Sequence, residues 1–385
     1  MNILIIPSWY PSKGNRLSGS FFREQAIALK NAGHHVIVLN VTYQDRHRYF
    51  DPDNFKFKKF NDEGVIVYSY VTPAFGINRV KKLMIKSFLR RTERMFRKIL
   101  QDEETVDIIH AHSYMPAGYC ACELGKKNNI PVVITEHSSS IIQNNMSSIE
   151  IFYLKKCVEL SSAFICVGEG LKQSVIKKTG AKQTIEVLPN IVSPLFEYKG
   201  KKGNTNKFIF CSVGNLNAGK RFGLTIDAFT KAFKGKSHIK LQIVGGGTLY
   251  SKLKEQIDNL GMNEQISLLG AMSREKVAQQ MQVCDVFVLA SAFETFGVVY
   301  IEAMACGKPV IGTRNGGADY IINKENGILI DVDNVNQLTE ALEEMVENYR
   351  SYNMERISQN TIKQYSEVPV TSRLNIIYER CIKGW

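Results

Sequence analysis

No run of about 18 uninterrupted apolar residues occurs in the 385-residue chain, so no segment is expected to span a membrane as a helix. The apolar start, Asn2 to Ile6, is too short for the core of a secretory signal and runs straight into Pro7, Trp9, Pro11 and Gly14; it reads as a first strand. None of the eight cysteines forms a Cys-x-x-Cys pair, so neither a disulfide framework nor a zinc site is indicated. They stand at 120, 122, 157, 166, 211, 284, 306 and 381. Several sit in apolar runs such as Phe164 to Val167, as buried free thiols do, and the expected compartment is the reducing cytoplasm. Short-period repeats and low-complexity tracts are missing as well. So are an aromatic-rich RNP-like stretch and a basic helix-turn-helix pattern, and nucleic acid is therefore not an expected partner.

What the chain does have is 44% apolar residues and enough length for more than one core. Lys and Arg number 49 against 37 Asp and Glu, a net charge of +12 that favours anionic partners without naming them. Strand-length apolar runs alternate with helical patterns, the mark of doubly wound α/β domains. They fall at Ile3 to Ile6, Val36 to Val41, Ile108 to His110, Val132 to Thr135, Phe164 to Val167 and Ile185 to Leu188. From Asn190 to Asn206 the sequence turns polar and rich in Lys and Gly, with Pro189 and Pro194 at its entry. A second series follows at Phe208 to Val213, Leu241 to Val244, Ile266 to Leu269, Val286 to Leu289, Val310 to Gly312 and Ile328 to Ile330. The expected organisation is a Rossmann-like domain over 1–192, a linker over 193–206, a second Rossmann-like domain over 207–365, and a helical segment over 366–385 that returns to the first domain.

The richest stretch is ETFGVVYIEAMACGKPVIGTRNGG, which begins at Glu294. It follows a strand and predicts a loop and then a helix starting near Gly297, whose first backbone N–H groups and positive dipole end form a site for phosphate. Glu294 lies in the loop and Glu302 roughly 7 Å along the helix. An elongated ligand with paired hydroxyls at both ends, as in a sugar nucleotide, matches two such carboxylates. Spacing alone equally allows a solvated loop acid and a first-turn acid that complements the dipole. The whole string, however, closely resembles the Glu-x7-Glu signature of retaining glycosyltransferases of family 4. That resemblance covers nearly all of Phe208 to Asp331 and only scattered points of the first domain. It implies a GT-B architecture, two Rossmann-like parallel-sheet domains facing across a cleft. It also implies that Glu294 holds the donor sugar, Glu302 the ribose, and the amides of Phe296, Gly297 and Val298 the diphosphate.

Further residues follow from the same resemblance. The loop GNLNAGKR begins at Gly214, and in family 4 it supplies an Arg and, five residues on, a Lys, both reaching the diphosphate. Lys220 matches the Lys, whereas Asn215 stands at the Arg position and carries no charge. Either Arg221 compensates, or the charge rests on Lys220 and the helix N-terminus. Gly246, within the triplet 245–247, lies where the family's nucleotide approaches, near the segment Gly270 to Ser273 that usually meets the base. The Rossmann spacing itself fails there, because Tyr250 occupies its last glycine position. In the first domain the small-residue loop Leu17 to Ser20 resembles the family's glycine loop, with Gly19 as the match; Ser20 as a plain helix cap is the competing reading. His110 and His112 share a strand face without the accompanying ligands of a metal site, and read as core or cleft histidines. His137 follows its strand at the carboxyl end and resembles the family's cleft histidine beside the reacting sugar.

These features together predict a hexosyltransferase-type enzyme that uses a nucleotide-diphosphate sugar as substrate, with no cofactor and no metal, and a glycan or lipid-linked acceptor. Polysaccharide or glycolipid synthesis is the expected setting. A GT-B isomerase that epimerises sugar nucleotides, or a nonenzymatic sugar or nucleotide binder, would share the fold. One more element bears on the acceptor. Residues 78–100 are dense in Lys and Arg, and Val80, Met84, Phe88, Met95 and Ile99 recur near helical spacing. Such a helix reads either as lying on an anionic membrane surface at the inner face or as packing its apolar side into the first domain.

Overall fold

Alternation of apolar strands with amphipathic helices builds two sheets in the computed structural model, which describes residues 1–11, 19–44, 54–74, 80–103, 105–143, 145–200 and 206–384. The chain divides into two units, Met1–Ile191 with Glu367–Trp385, and Val192–Ser366.

In the first unit the strands are β1 (Asn2–Pro7), β2 (His35–Gln44), β3 (Phe57–Asp62), β4 (Val65–Pro73), β5 (Ile108–His112), β6 (Val132–Glu136), β7 (Ala163–Cys166) and β8 (Ile185–Val187). They lie in the order β3-β4-β2-β1-β5-β6-β7-β8, parallel except for the antiparallel β3–β4 pair. Register sets Ile3 opposite Val36 on one side and Ile108 on the other. The central strands are apolar almost throughout because helices cover both faces of a parallel sheet. The β3–β4 hairpin was not anticipated. Its outer strand, FKKFND, leaves Phe57, Lys59 and Phe60 exposed, so it carries no apolar periodicity, and its lysines suit an unpaired sheet edge. The C-terminal helix Glu367–Lys383 belongs to this unit and buries Val370, Leu374, Ile377 and Tyr378 in the core that holds Ile3 and Ile5.

The basic helix spans Lys81–Glu103, and Asn78 and Arg79 lie outside the described residues. Of the two readings of its apolar stripe, the structure takes the one that packs it into the first domain. Ile85, Phe88, Met95, Phe96 and Ile99 are buried and the helix packs on β2, so this stripe faces the core rather than a free surface. The opposite side leaves Lys82, Lys86, Arg90, Arg94 and Arg97 exposed in one row, with Val80 and Leu83 exposed at its start.

The second unit contains β9 (Phe208–Val213), β10 (Ile239–Val244), β11 (Ile266–Gly270), β12 (Val286–Leu289), β13 (Val310–Thr313) and β14 (Gly327–Ile330), in the order β11-β10-β9-β12-β13-β14. All five pairings are parallel. From β9 the chain winds outward through β10 and β11, then returns to β12 beside β9 and winds the other way. Loops leaving the carboxyl ends of β9 and β12 therefore part in opposite directions and open a crevice between them.

Candidate active site

The loop after β9 and the loop after β12 meet at that crevice. Lys220 ends a short 3-10 turn, Ala218–Lys220, and its Nζ donates to Glu294 Oε1 at 2.5 Å. Backbone bonding locks the two loops together, because the Ala292 N–H donates to the Gly219 carbonyl at 2.8 Å. A side chain at Gly219 would put its Cβ 2.7 Å from Phe293 Cζ, closer than packed atoms tolerate, so the turn that carries Lys220 needs glycine there. The lysine and the carboxylate retain 24% and 12% exposure, which leaves both reachable by a ligand. Behind Glu294, Asn315 Oδ1 accepts from the N–H groups of Gly317 and Ala318. A Cβ on Gly317 would stand 2.9 Å from Glu294 Cβ.

The helix that follows runs Val298–Ala305, with Gly297 as its N-cap at φ 95°. Glycine is needed at that angle, and an added Cβ would also meet Tyr300 Cδ2 at 2.6 Å. Tyr300 in turn donates its hydroxyl to the Leu289 carbonyl at 2.7 Å, which ties the helix to the end of β12. Among the described residues, nothing accepts from the N–H groups of Phe296, Gly297 or Val298. Glu302 is 2% exposed and meets Arg274 Nη1 at 2.7 Å. Burial pushes the Glu302 carboxyl above its usual range, and the Arg274 charge pulls it back down. Arg274 opens the helix Arg274–Val283, and its guanidinium lies 5.1 Å over the buried Phe196 ring. The sequence reading stopped at Ser273, one residue short of this arginine. A cation directly after the segment expected to meet the base was the available signal.

The glycine triplet acts by close approach. A Cβ on Gly245 would fall 1.9 Å from the Gly214 carbonyl oxygen, and one on Gly247 2.5 Å from that of Leu216. The Leu216 N–H donates to the Gly246 carbonyl at 2.9 Å, so the triplet and the Asn215 loop form one backbone cradle. Asn215 itself is exposed. Arg221 is committed elsewhere. Its Nε and Nη2 bond the two Asp333 oxygens at 2.5 and 3.0 Å, and its Nη1 bonds the Ala218 carbonyl at 2.8 Å. Lys220, not Arg221, is the cation beside Glu294.

In the first unit, β5 reaches His112 rather than stopping at His110, and both histidines are fully buried. His110 is held between Tyr378 Oη at 2.6 Å and Thr135 Oγ1 at 2.7 Å. His112 Nδ1 lies 3.2 Å from His137 Nε2. His112 Nε2, His137 Nδ1 and Ser113 Oγ have no hydrogen-bond partner among the described residues. Glu136, which the sequence reading passed over, gathers the N–H groups of Tyr114, His137 and Ser138 at 2.6 to 2.8 Å. It thereby ties the ends of β5 and β6 together and fixes the backbone of His137. Gly19 is the N-cap of the helix Ser20–Asn31 at φ 75°, so Ser20 is the first helical residue and not its cap. Leu17 and Ser18 lie outside the described residues.

Burial lowers the pKa of His110 and of His137 to about 3, with the His110 charge adding to the effect at His137. It holds His112 well below the usual value too, helped by its two histidine neighbours. All three are neutral at pH 7 in the folded chain. The unfolded chain takes up protons near pH ~6.5, which the folded one does not do until far lower pH. Stability is therefore undiminished above about pH 6.5 and is lost as the pH falls below it. The urea midpoint of unfolding is expected to drop between about pH 6.5 and 5, less steeply in His110→Gln than in the parent protein. A midpoint independent of pH over that interval contradicts the buried neutral triplet.

Comparison with known proteins places the chain by family and fold. Residues 196–364 match the family described as glycosyl transferases group 1, and residues 18–194 match Glycosyltransferase Family 4. The chain is 30% identical over 276 residues to an uncharacterized glycosyltransferase of Methanocaldococcus jannaschii, covering 71% of this chain and 74% of that one. It is 24% identical over 362 residues to the phosphatidylinositol N-acetylglucosaminyltransferase GPI3 subunit of Saccharomyces cerevisiae, covering 91% of this chain and 76% of that one. The structure of Anabaena HepE in complex with UDP and glucose superposes with a TM-score of 0.74 at 16% identity, covering 99% of this chain and 100% of that one. The fold is thus that of the GT-B glycosyltransferases. With both halves of the sequence matched, the chain belongs to glycosyltransferase family 4.

Proposed function

We propose that this chain is a retaining glycosyltransferase that moves a hexose from a nucleotide-diphosphate sugar, of the UDP-sugar class, to a glycan or lipid-linked acceptor in cell-surface polysaccharide or glycolipid synthesis. The observation that carries the reading is the Lys220–Glu294 contact beside the unclaimed N–H groups of residues 296–298. A donor entering there exchanges this contact for its own. Glu294 accepts from sugar hydroxyls, Lys220 and the helix amides take the diphosphate, and Glu302 accepts from the ribose diol. The UDP and glucose held by HepE support the donor class, and the phosphatidylinositol acceptor in the name of the yeast relative supports a lipid-linked one.

In the proposed step the bond between the sugar's anomeric carbon and the leaving phosphate oxygen breaks with its electron pair going to phosphate. The acceptor hydroxyl forms a bond to the same carbon on the same face, and its proton passes to the departing phosphate. Preorganised positive groups stabilise the charge that develops on that phosphate, here Lys220 and the amides of Phe296, Gly297 and Val298. No cofactor is called for. Glu294 orients the sugar and offsets positive charge on its ring, and His137, uncharged at neutral pH, serves the sugar or the acceptor by hydrogen bonding. Asn215 contributes polarity without charge, and Gly19 and Gly246 keep backbone within reach of the donor.

Replacing the two acids separates their roles. Glu302→Ala is expected to weaken the binding of UDP and of the UDP-sugar alike. Glu294→Ala leaves UDP affinity near normal and lowers turnover on the order of 100-fold. Calorimetry with UDP decides the first half, and unchanged affinity in Glu302→Ala removes the ribose assignment.

Lys220→Ala is expected to cost about 1.5–3 kcal/mol of transition-state stabilisation, the range of a charge-assisted hydrogen bond. Asn215→Arg, which restores the cation usual in the family, raises kcat in the Lys220→Ala background. Normal turnover in Lys220→Ala together with an inactive Arg221→Ala would move the phosphate cation one position along.

A lipid-linked acceptor calls for contact with a membrane surface, and the exposed row Lys82, Lys86, Arg90, Arg94 and Arg97 offers it, with Val80 and Leu83 at one end. Each basic residue near an anionic bilayer contributes roughly 1 kcal/mol, attenuated by salt. The protein is expected to sediment with phosphatidylserine vesicles at low salt and not with phosphatidylcholine ones. Changing Lys86, Arg90, Arg94 and Arg97 to Ser abolishes the preference. Equal sedimentation of the parent protein with both vesicle types leaves a soluble glycan as the acceptor.

A further inference from the structure

Arg274 has no place in the scheme above, yet it is built into the same pocket from three separate segments. Its guanidinium lies 5.1 Å over Phe196, which precedes β9, and its Nη1 stands 2.7 Å from Oε1 of Glu302 on the helix after β12. Phe196 is fully buried and Glu302 is 2% exposed, so neither partner can follow the arginine into solvent. Glu302 Oε1 is buried among the described residues and, beyond this ion pair, finds no hydrogen-bond partner there.

We infer that Arg274 is the positioning residue of the ribose site, holding Glu302 charged and its carboxylate aimed at the donor's ribose diol. The inference rests on the ribose role of Glu302 proposed above. The physical argument is desolvation. A carboxylate buried this completely is expensive to ionise without a counter-ion, and a protonated acid is a poor acceptor for two hydroxyls. Arg274 is the charged group that acts on Glu302 among the described residues. Cys306, the C-cap of that helix, is its titratable neighbour, and burial keeps that thiol protonated by pushing it up to about 12. A planar guanidinium stacked on a ring also fixes direction, which a mobile ammonium does not.

The test is calorimetry of UDP and 2′-deoxy-UDP against the parent protein and four variants. The parent is expected to prefer UDP by about tenfold or more, the worth of one hydroxyl bonded to a carboxylate. Arg274→Gln, which keeps a donor but no charge, is expected to bind UDP about tenfold to a hundredfold more weakly at neutral pH and to lose the preference. Both recover as the pH is raised and Glu302 ionises unaided, a response that a purely structural arginine would not give. Arg274→Lys retains much of the preference. The double variant Arg274→Gln/Glu302→Gln leaves no lone buried charge, so it keeps the test readable where Arg274→Gln alone does not fold. It is expected to match Glu302→Gln alone in UDP affinity. A further loss in the double variant means that Arg274 touches the nucleotide itself and overturns the positioning role. Full affinity and preference in Arg274→Gln overturn it equally. A parent protein that binds UDP and 2′-deoxy-UDP alike instead removes the ribose role of Glu302, which distinguishes that failure from this one.

Discussion

Adjacent parallel strands whose loops leave in opposite directions cannot close over the gap between them, and this constraint organises the donor site. In the second unit the gap lies between β9 and β12. The charged groups assigned to the donor's sugar and diphosphate in that unit stand on segments that leave these two strands. The loop after β9 brings Lys220, and the loop after β12 brings Glu294 and then the helix that carries Glu302. Neither loop is fixed by itself. The bond from Ala292 to Gly219 joins them, while the glycine triplet braces the first against Gly214 and Leu216 and the Asn315 contacts brace the second behind Glu294. That mutual support explains the glycines, since a Cβ at any of several positions would strike backbone.

The charges follow a common logic. Each acid of the signature stands against one cation: Glu294 against Lys220 on the exposed side of the pocket, and Glu302 against Arg274 on the buried side. The partly exposed pair is readily exchanged for ligand contacts, because water and then the donor can solvate both partners. The buried pair is not, because separating it would strand a charge in a dry site. The two pairs therefore suit different tasks, an exchangeable contact where bonds are made and broken and a permanent one where the nucleotide is held.

Much of this was legible in the sequence for definite reasons. Parallel strands covered on both faces are continuous apolar runs, so twelve of the fourteen strands among the described residues were anticipated, and the signature around Glu294 is long enough to be distinctive. In the β3–β4 hairpin, β3 escaped because FKKFND, with Phe57 and Phe60 exposed, has no buried face to reveal it, whereas β4, VIVYSYVTP, is a largely buried run that carried a legible strand signal. The helix Lys81–Glu103 was legible as amphipathic, but a sequence does not say whether an apolar stripe meets a membrane or a sheet; Phe88, Met95 and Ile99 meet the sheet. Arg274 and Glu136 were missed for another reason. Their importance lies in what they pair with, one with a carboxylate 28 residues on and the other with backbone N–H groups from two loops, and such pairings carry no local pattern.

The central claim is that the crevice between β9 and β12 holds a nucleotide-diphosphate sugar. A crystal structure of the protein with UDP bound tests it most directly. The account predicts the diphosphate within hydrogen-bonding distance of Lys220 Nζ and the N–H groups of residues 296–298, with Glu294 released from Lys220 and the ribose diol on Glu302 beside an unmoved Arg274. UDP bound away from these groups, or lying there with its ribose turned away from Glu302, would contradict it.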